Sequence, residues 1–424
     1  MSLALLLIAI FALFLLRVPM AFAILGPSVI YLLVKGYSTH LAIRLVMQGI
    51  NSWPLLAVPL FILVGMIATR TEIADRLFDA ALLLLGPLRA GLAYVNVGVS
   101  FGFSWMSGAS LADVAGIGAI EVDQMRKKGY PEYFSVGLTA SSALISPIMP
   151  PSIPAIIFAS IGAVSTGALF AAAVLPAILM TIALSITIYF WARNKPEFVG
   201  EPYNFTELRR AVRRALPALG APVIILGGIL GGYFTPTEAA GVGALYMLIL
   251  AASYGSLRLQ QLAAIFRDAA VISAQIMLII GASALLSWVL AREQGPQKIA
   301  EALLGLTDNP YVFLFIVNIL LLLLGMVLEP SSALVIITPI LLPVAIQFGI
   351  DPLQFGVIVI LNLMVGLMTP PMGGVIFVLS SVTGIPIERC FRGAAFFLPV
   401  MIVVLLLVTY ISPLTTWLPT AVGL

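Results

Sequence analysis

Apolar residues run in long blocks along the chain, and polar positions fall in short clusters between them. Dividing the blocks at Pro, Gly and charge predicts membrane-spanning helices over 2–16, 19–34, 54–70, 133–167, 169–192, 216–233, 237–254, 269–290, 352–384 and 393–412. About 20 apolar residues suffice to cross a bilayer. Two further stretches, 90–125 and 310–347, are apolar but broken in the middle, by Ser107-Gly108-Ala109-Ser110 and by Glu329-Pro330-Ser331-Ser332. Each half is then about 15–18 residues, short for a full crossing. The first stretch is also basic at both ends, with Arg89 before it and Arg126-Lys127-Lys128 after it, which places both ends on one side. The pattern predicts two re-entrant hairpins, against the alternative of ordinary spans joined by tight turns.

Composition sharpens this picture. Of 424 residues, 61% are hydrophobic and 9% charged, with mean hydropathy +1.14. An ordinary soluble domain carries about 25% charged residues. The sequence therefore reads as an all-α polytopic membrane protein. The net charge of +3 could suggest a nucleic-acid partner, but the basic residues cluster between spans: Arg193 with Lys195, and Arg209-Arg210 with Arg213-Arg214. That distribution reports orientation under the positive-inside rule, so no nucleic acid is expected. No positive charge precedes the first apolar run, so a cleavable signal peptide is not predicted, and the first charge, Arg17, follows that run. Tracing the clusters through both hairpins puts Arg126–Lys128, Arg193–Arg214, Arg258, Arg267 and Glu388–Arg392 inside, and both termini outside.

Sequence echoes at an offset of roughly 220 residues divide the chain into 1–215 and 216–424. Arg17-Val18-Pro19 through Tyr31 echoes Phe234-Thr235-Pro236 through Tyr246, and Ile73-Ala74-Asp75-Arg76-Leu77 echoes Ile299-Ala300-Glu301-Ala302-Leu303. Gly129 with Pro131 echoes Gly349 with Pro352, and Leu175-Pro176 echoes Leu398-Pro399. Ser146-Pro147-Ile148-Met149-Pro150-Pro151-Ser152 echoes Leu367-Met368-Thr369-Pro370-Pro371-Met372-Gly373. Each copy holds five spans and one hairpin. Five is odd, so the second copy is expected upside-down relative to the first, a transporter architecture.

The candidate chemistry sits at the breaks. Proline removes a backbone donor and clashes with the preceding turn, so Pro150-Pro151 and Pro370-Pro371 should interrupt the helices of 133–167 and 352–384. Carbonyls freed inside a bilayer are costly unless they line a cavity or bind something. Hydroxyls stand beside them: Ser146 and Ser152 in one copy, Thr369 in the other, and at the hairpin tips Ser107, Ser110, Ser331 and Ser332. Carbonyls plus neutral hydroxyls suit a hard monovalent cation, and half-helix N-termini suit an anionic group. Two cation sites are expected, one per copy, with substrate between them; Gly108 and Gly373 are substrate or coupling candidates beside the tips and breaks.

Glu329 could ligand the ion, orient the tip or cap the helix beginning at Ser331; Asp113 could cap the first tip or carry a proton. Thr235-Pro236-Thr237-Glu238 reads as a capping box. Asn318 and Asn362 lie inside spans and could face the cavity. There is no phosphate-binding G-x-x-x-x-G-K-[ST] motif. The single histidine, His40, falls in a loop-like amphipathic stretch, so Trp105-Met106-Ser107-Gly108 has no membrane histidine to activate its serine. The single cysteine, Cys390, cannot form an internal disulfide. No His/Cys cluster suggests a transition-metal site, and no enzyme activity is expected.

The tip Ser107-Gly108-Ala109-Ser110-Leu111-Ala112-Asp113, the break from Ser146-Pro147 to Pro150-Pro151-Ser152, and Thr235-Pro236-Thr237-Glu238-Ala239-Ala240 resemble the large membrane subunit of TRAP (tripartite ATP-independent periplasmic) transporters. So do Glu329-Pro330, Thr338-Pro339-Ile340-Leu341-Leu342-Pro343 and Gly366-Leu367-Met368-Thr369-Pro370-Pro371. The resemblance implies a secondary transporter of elevator-type fold, coupled to sodium and embedded in a bacterial inner membrane. It implies a mobile body of hairpins and broken helices held by a scaffold of outer helices. It also implies a small four-helix membrane subunit, here expected as a separate polypeptide, and a periplasmic substrate-binding protein that delivers a small carboxylate. A stand-alone sodium- or proton-coupled anion carrier of a sister family is the alternative; a non-transporting membrane enzyme or scaffold is a third reading.

Overall fold

The structure, a computed structural model, describes residues 3–16, 18–198, 200, 203–295, 297–298, 301, 305, 307–371 and 373–424. Arg17 and Met372, and Ile299, Ala300, Ala302 and Leu303 of one echo, lie outside the described residues. Among the described residues every regular element is helical. Among the described residues, six helices are long and apolar enough to cross a membrane: Trp53–Arg70, Thr166–Ala192, Pro236–Ser253, Gln260–Arg292, Pro330–Gln347 and Ile387–Tyr410.

Both interrupted stretches fold back on themselves. In the first, helix Gly91–Ser107 ends at Gly108 and a second helical run occupies 110–127, with Val114–Gly118 in π geometry. Its ends meet where the Asn96 amide lies 4.0 Å from the Met125 sulfur. In the second, helices Pro310–Gly325 and Pro330–Gln347 bring Phe313 and Phe348 into a stack with ring centres 4.3 Å apart. Pro330–Gln347 is 18 residues, so its length alone would permit a crossing; the stacked ends make it half of a hairpin.

The double prolines interrupt their helices. Glu132–Ser142 tightens through Ala143–Ile145, the chain then leaves helical geometry, and helix Ile153–Gly162 follows. Pro352–Gly366 likewise stops before Gly374–Thr383. Both Pro150-Pro151 and Pro370-Pro371 are cis. In chain order, hairpin, broken helix and long helix (Thr166–Ala192, then Ile387–Tyr410) recur in the two halves.

Other segments differ from the sequence reading. Residues 35–53, read as a loop carrying His40, contain the amphipathic helix Thr39–Ile50, capped by the Ser38 hydroxyl on the His40 amide. It packs closely on the long helix Leu259–Arg292, because a Cβ on Gly281 would meet Ile50 and Val46 at 2.9 Å. Small residues allow such close backbone approach. Leu259–Arg292 has 34 residues, well beyond the 269–290 span expected. At 1.5 Å per residue it is about 51 Å long, exceeding a hydrocarbon core of about 30 Å. The 193–214 loop contains helix Phe205–Ala215, rich in arginine, and 73–85 is also helical (Ile73–Leu85). The 216–233 span is reduced to Gly220–Leu230, bent 51° from Phe205–Ala215. Leu216–Leu219 turn the chain between them because Pro217 cannot donate a helical hydrogen bond.

Polar contacts group the loops as the charge pattern predicts. Glu132 pairs with both Arg126 (3.1 Å) and Arg389 (2.9 Å), and Arg89 donates to the Arg193 carbonyl at 2.9 Å. Arg70 pairs with Asp268 at 2.7 Å. Lys35 pairs with Glu293 at 2.9 Å, where Tyr31 also donates to the carboxylate. Every one of these pairs joins segments assigned to the same side.

Candidate functional site

A cavity of about 620 Å³ opens at the centre of the chain, within the range that holds small ligands. Both hairpin tips reach it: Ser107, Gly108 and Ser110 from the first, Glu329, Ser331 and Ser332 from the second. Both broken helices reach it as well, through Pro147, Ile153 and Pro154 on one and Met364 and Leu367 on the other. Ala57–Arg70 and Leu259–Arg292 close the far wall, supplying Ile62, Met66 and Ile276 with the polar side chains of Thr69 and Gln275.

The first tip is locked against its broken helix. Gly108 sits at φ +63°, and a Cβ there would lie 2.7 Å from the Pro151 carbonyl oxygen. Only glycine takes this backbone conformation cheaply, and the same lack of a side chain lets the tip touch the break. Gly65 brings Ala57–Arg70 equally near: a Cβ there would meet the Ser107 backbone at 3.1 Å. Beyond Gly108, Ala109 leaves the helix at 110–127 without a side-chain cap. The free amides at its start open onto Ser110, Leu111 and Ala112, which line the cavity. Uncapped amides at a helix start are a ready anion site.

The second tip differs. Glu329 caps helix Pro330–Gln347, accepting from the Ser332 amide at 3.0 Å and from the Ser331 and Ser332 hydroxyls at 2.9 and 3.2 Å. Of the roles open to it, capping is the one its geometry displays. Those hydroxyls donate to Glu329, and their lone pairs stay free for a cation.

The remaining predicted residues do not line the cavity. Ser152 caps Ile153–Gly162 through the Ala155 amide at 3.1 Å and donates back to the Pro147 carbonyl. Ser146 is fully buried, with its hydroxyl beside the Asp113 carboxylate. Pro150 and Pro151 are buried, whereas Pro370 and Pro371 are exposed. Thr369 is buried and donates to the Val365 carbonyl at 2.8 Å; Gly373 sits at φ +41° beside Phe391. Asp113 is buried beside the Ser107 and Ser146 hydroxyls, and its Oδ1 has no hydrogen-bond partner. Glu238 completes the expected capping box with Thr235.

Asn318 and Asn362 do not face the cavity. They bond to each other, with Asn318 also donating to Thr409 at 3.1 Å, and so tie the second hairpin to its broken helix. Asn96 does the same in the first half, donating to Thr139 at 2.6 Å and accepting from Ser142 at 2.7 Å. All three amide N–H groups donate inside the protein, and the Asn96 and Asn318 oxygens accept there, whereas the buried Asn362 oxygen has no partner. Thr69, Gln275 and Asn96 are site or support residues that the sequence reading missed; Gln275 was visible as a lone amide within an apolar run.

Apolar crossing helices, two inward hairpins and two broken helices around one cavity define a multi-pass membrane transporter. Residues 7–414 match the family model described as tripartite ATP-independent periplasmic transporter, DctM component. The chain belongs to this family. It is 38% identical over 403 residues to the sialic acid TRAP transporter large permease protein of Vibrio cholerae, covering 95% of this chain and 94% of that one. It is 37% identical over 400 residues to the C4-dicarboxylate TRAP transporter large permease protein of Pseudomonas aeruginosa, covering 94% and 93%. A sialic acid TRAP transporter permease protein of Haemophilus influenzae is 34% identical over 404 residues; the match covers 95% of this chain and 66% of that longer protein. In fold, the chain resembles the crystal structure of the Alcanivorax borkumensis YdaH transporter, with TM-score 0.56 over 85% of each chain at 15% identity.

Proposed function

We propose that the chain is the translocating subunit of a sodium-coupled importer of small carboxylate solutes, working by an elevator movement. The observation that carries this reading is the charge of the central cavity. Among its described lining residues Glu329 is the one charged side chain, and none is Arg, Lys or His. An anion entering such a space needs positive charge that side chains do not supply. The open amides at Ser110 offer part of it. Bound cations supply the rest, which makes anion and cation binding mutually dependent. The first sodium would use Ser107, Ser110 and Ser146 with carbonyls ending Gly91–Ser107 and flanking Pro150; Ser152 supports that break. The second would use Ser331, Ser332 and Thr369 with carbonyls near Pro370.

In this reading the two halves, 1–215 and 216–424, are inverted repeats. Hairpins and broken helices form the body that moves, carrying the cavity past Ala57–Arg70 and Leu259–Arg292. The largely apolar wall offered by Ile62, Met66 and Ile276 suits sliding, since it holds few polar contacts to break. Relatives named for sialic acid and C4-dicarboxylate support a carboxylate solute. We assign the protein to a bacterial inner membrane with both termini periplasmic. A separate small four-helix subunit would dock on apolar scaffold surface such as Phe22, Ile30 and Leu33, which are exposed on Met20–Val34. A periplasmic binding protein would deliver the solute.

The test follows thermal unfolding of the detergent-purified protein, with co-purifying partners, in sodium, potassium and choline salts. A ligand at 100 times its dissociation constant adds about 2.7 kcal/mol of stability. A sodium-specific rise in Tm, lost in Ser110→Ala/Thr369→Ala, is the expected result. The same Tm in all three salts refutes sodium coupling.

A further inference from the structure

Behind the first hairpin tip, away from the central cavity, two carboxylates are buried together. Asp113 is 8% exposed and Glu121 4%, and both line an internal cavity of about 10 Å³ with Ser100 and Thr139. Asp113 Oδ1 and Glu121 Oε1 have no hydrogen-bond partner. Their common facing follows from the π turn at Val114–Gly118 that separates them. In an α-helix, eight residues rotate through about 800°, leaving the two side chains roughly 80° out of phase. A π turn absorbs one residue, so the eight advance as about seven would, roughly 700°, close to two full turns. Straightening the helix would aim Glu121 away from Asp113.

We propose that Asp113 and Glu121, with the Ser100 and Thr139 hydroxyls, form an additional monovalent-cation site that adjoins the first tip site through Asp113. Unpaired carboxylates in a membrane interior are expensive and mark ion pathways. Four oxygens face the space, and both hydroxyls keep lone pairs for an ion: Ser100 donates to Ser142 at 3.0 Å, and Thr139 accepts from Asn96 at 2.6 Å. The cavity is about the size of one small sphere. A divalent ion would balance both charges, but magnesium and calcium need six or more oxygens, including waters for which there is no room. Sodium fits the volume and the ligand chemistry. The charge it leaves uncompensated falls on Asp113, in the first turn of its helix, where the amide dipoles offset it. Ser107 and Ser146 lie beside the same Asp113 carboxylate, so occupancy here would be felt at the first tip site.

The proposal rests on the sodium reading of the protein, and equilibrium binding of ²²Na⁺ to the purified protein with its co-purified partners separates the two. Glu121→Gln, which removes a buried charge and keeps the shape, is expected to bind one sodium fewer than wild type. Ser110→Ala/Thr369→Ala is expected to keep the Glu121-dependent ion. Ser100→Ala, which leaves no buried charge behind, is expected to weaken that ion's binding about tenfold while Tm in choline is unchanged. Equal stoichiometry and affinity in wild type, Glu121→Gln and Ser100→Ala overturn this site and leave the tip sites standing. A wild-type protein that binds no sodium overturns both.

Discussion

Substituting Gly108 by alanine tests whether contact between the first tip and its broken helix creates the sodium site. Two costs can be worked out. A non-glycine residue in the left-handed region costs roughly 1–2 kcal/mol. The added Cβ would then stand 2.7 Å from the Pro151 carbonyl oxygen, well inside an ordinary contact of about 3.5–4.0 Å. That oxygen belongs to the backbone beside Pro150 and cannot rotate away, so the tip must retreat. Both costs act in the state where tip and break touch, which is the state proposed to hold sodium. A penalty of about 2 kcal/mol confined to that state weakens sodium binding about 30-fold, at 1.4 kcal/mol per factor of ten.

The assay is the sodium concentration that gives half of the full Tm rise. Gly102→Ala serves as the control, because a Cβ at Gly102 meets nothing within 4 Å. In that helix interior the change should be stabilising by about 0.5–1 kcal/mol, with sodium dependence unchanged. A Gly108→Ala protein whose half-saturation lies within twofold of the Gly102→Ala value refutes the reasoning.

Other substitutions address the supporting structure. Asn318→Leu leaves the Asn362 amide buried without its partner and should lower stability by about 1–3 kcal/mol, whereas Asn318→Leu/Asn362→Leu should recover most of it; Tm in choline reads both. Glu329→Ala should cost about 0.5–2 kcal/mol through loss of the cap on Pro330–Gln347, and Glu329→Gln, which keeps an acceptor, much less. The carboxyl of Glu293 is held below its ordinary range by the Tyr31 hydroxyl and then by Lys35. A depressed carboxylate stabilises the fold above its ordinary range, and this contribution disappears as pH falls through its lowered folded value. Tm of Glu293→Gln should therefore fall less steeply from pH 7 into the acid range than wild type, most clearly at low salt.

The parts of this protein that were legible in the sequence are those where one residue type has one physical consequence. Paired prolines interrupt a helix wherever they stand, and basic clusters stay on one side of a bilayer, so the breaks and the grouping of Arg126, Glu132 and Arg389 could be anticipated. Helix Thr39–Ile50 could not, because its mixture of apolar and basic residues suits a surface helix and a loop equally until Leu259–Arg292 is present to receive it. Asn318 and Asn362 show the same limit. An amide inside an apolar span must find a partner, but whether that partner is a ligand or another amide depends on the phase of two packed helices. Glu121 is the sharpest case. Its spacing from Asp113 leaves the two roughly 80° out of phase on an ideal helix, and the π turn that brings them into line leaves no mark in the order of residues. The site that tertiary packing creates at Glu121 is therefore the one that sequence pattern was least able to reveal, and sodium stoichiometry is the measurement that reaches it.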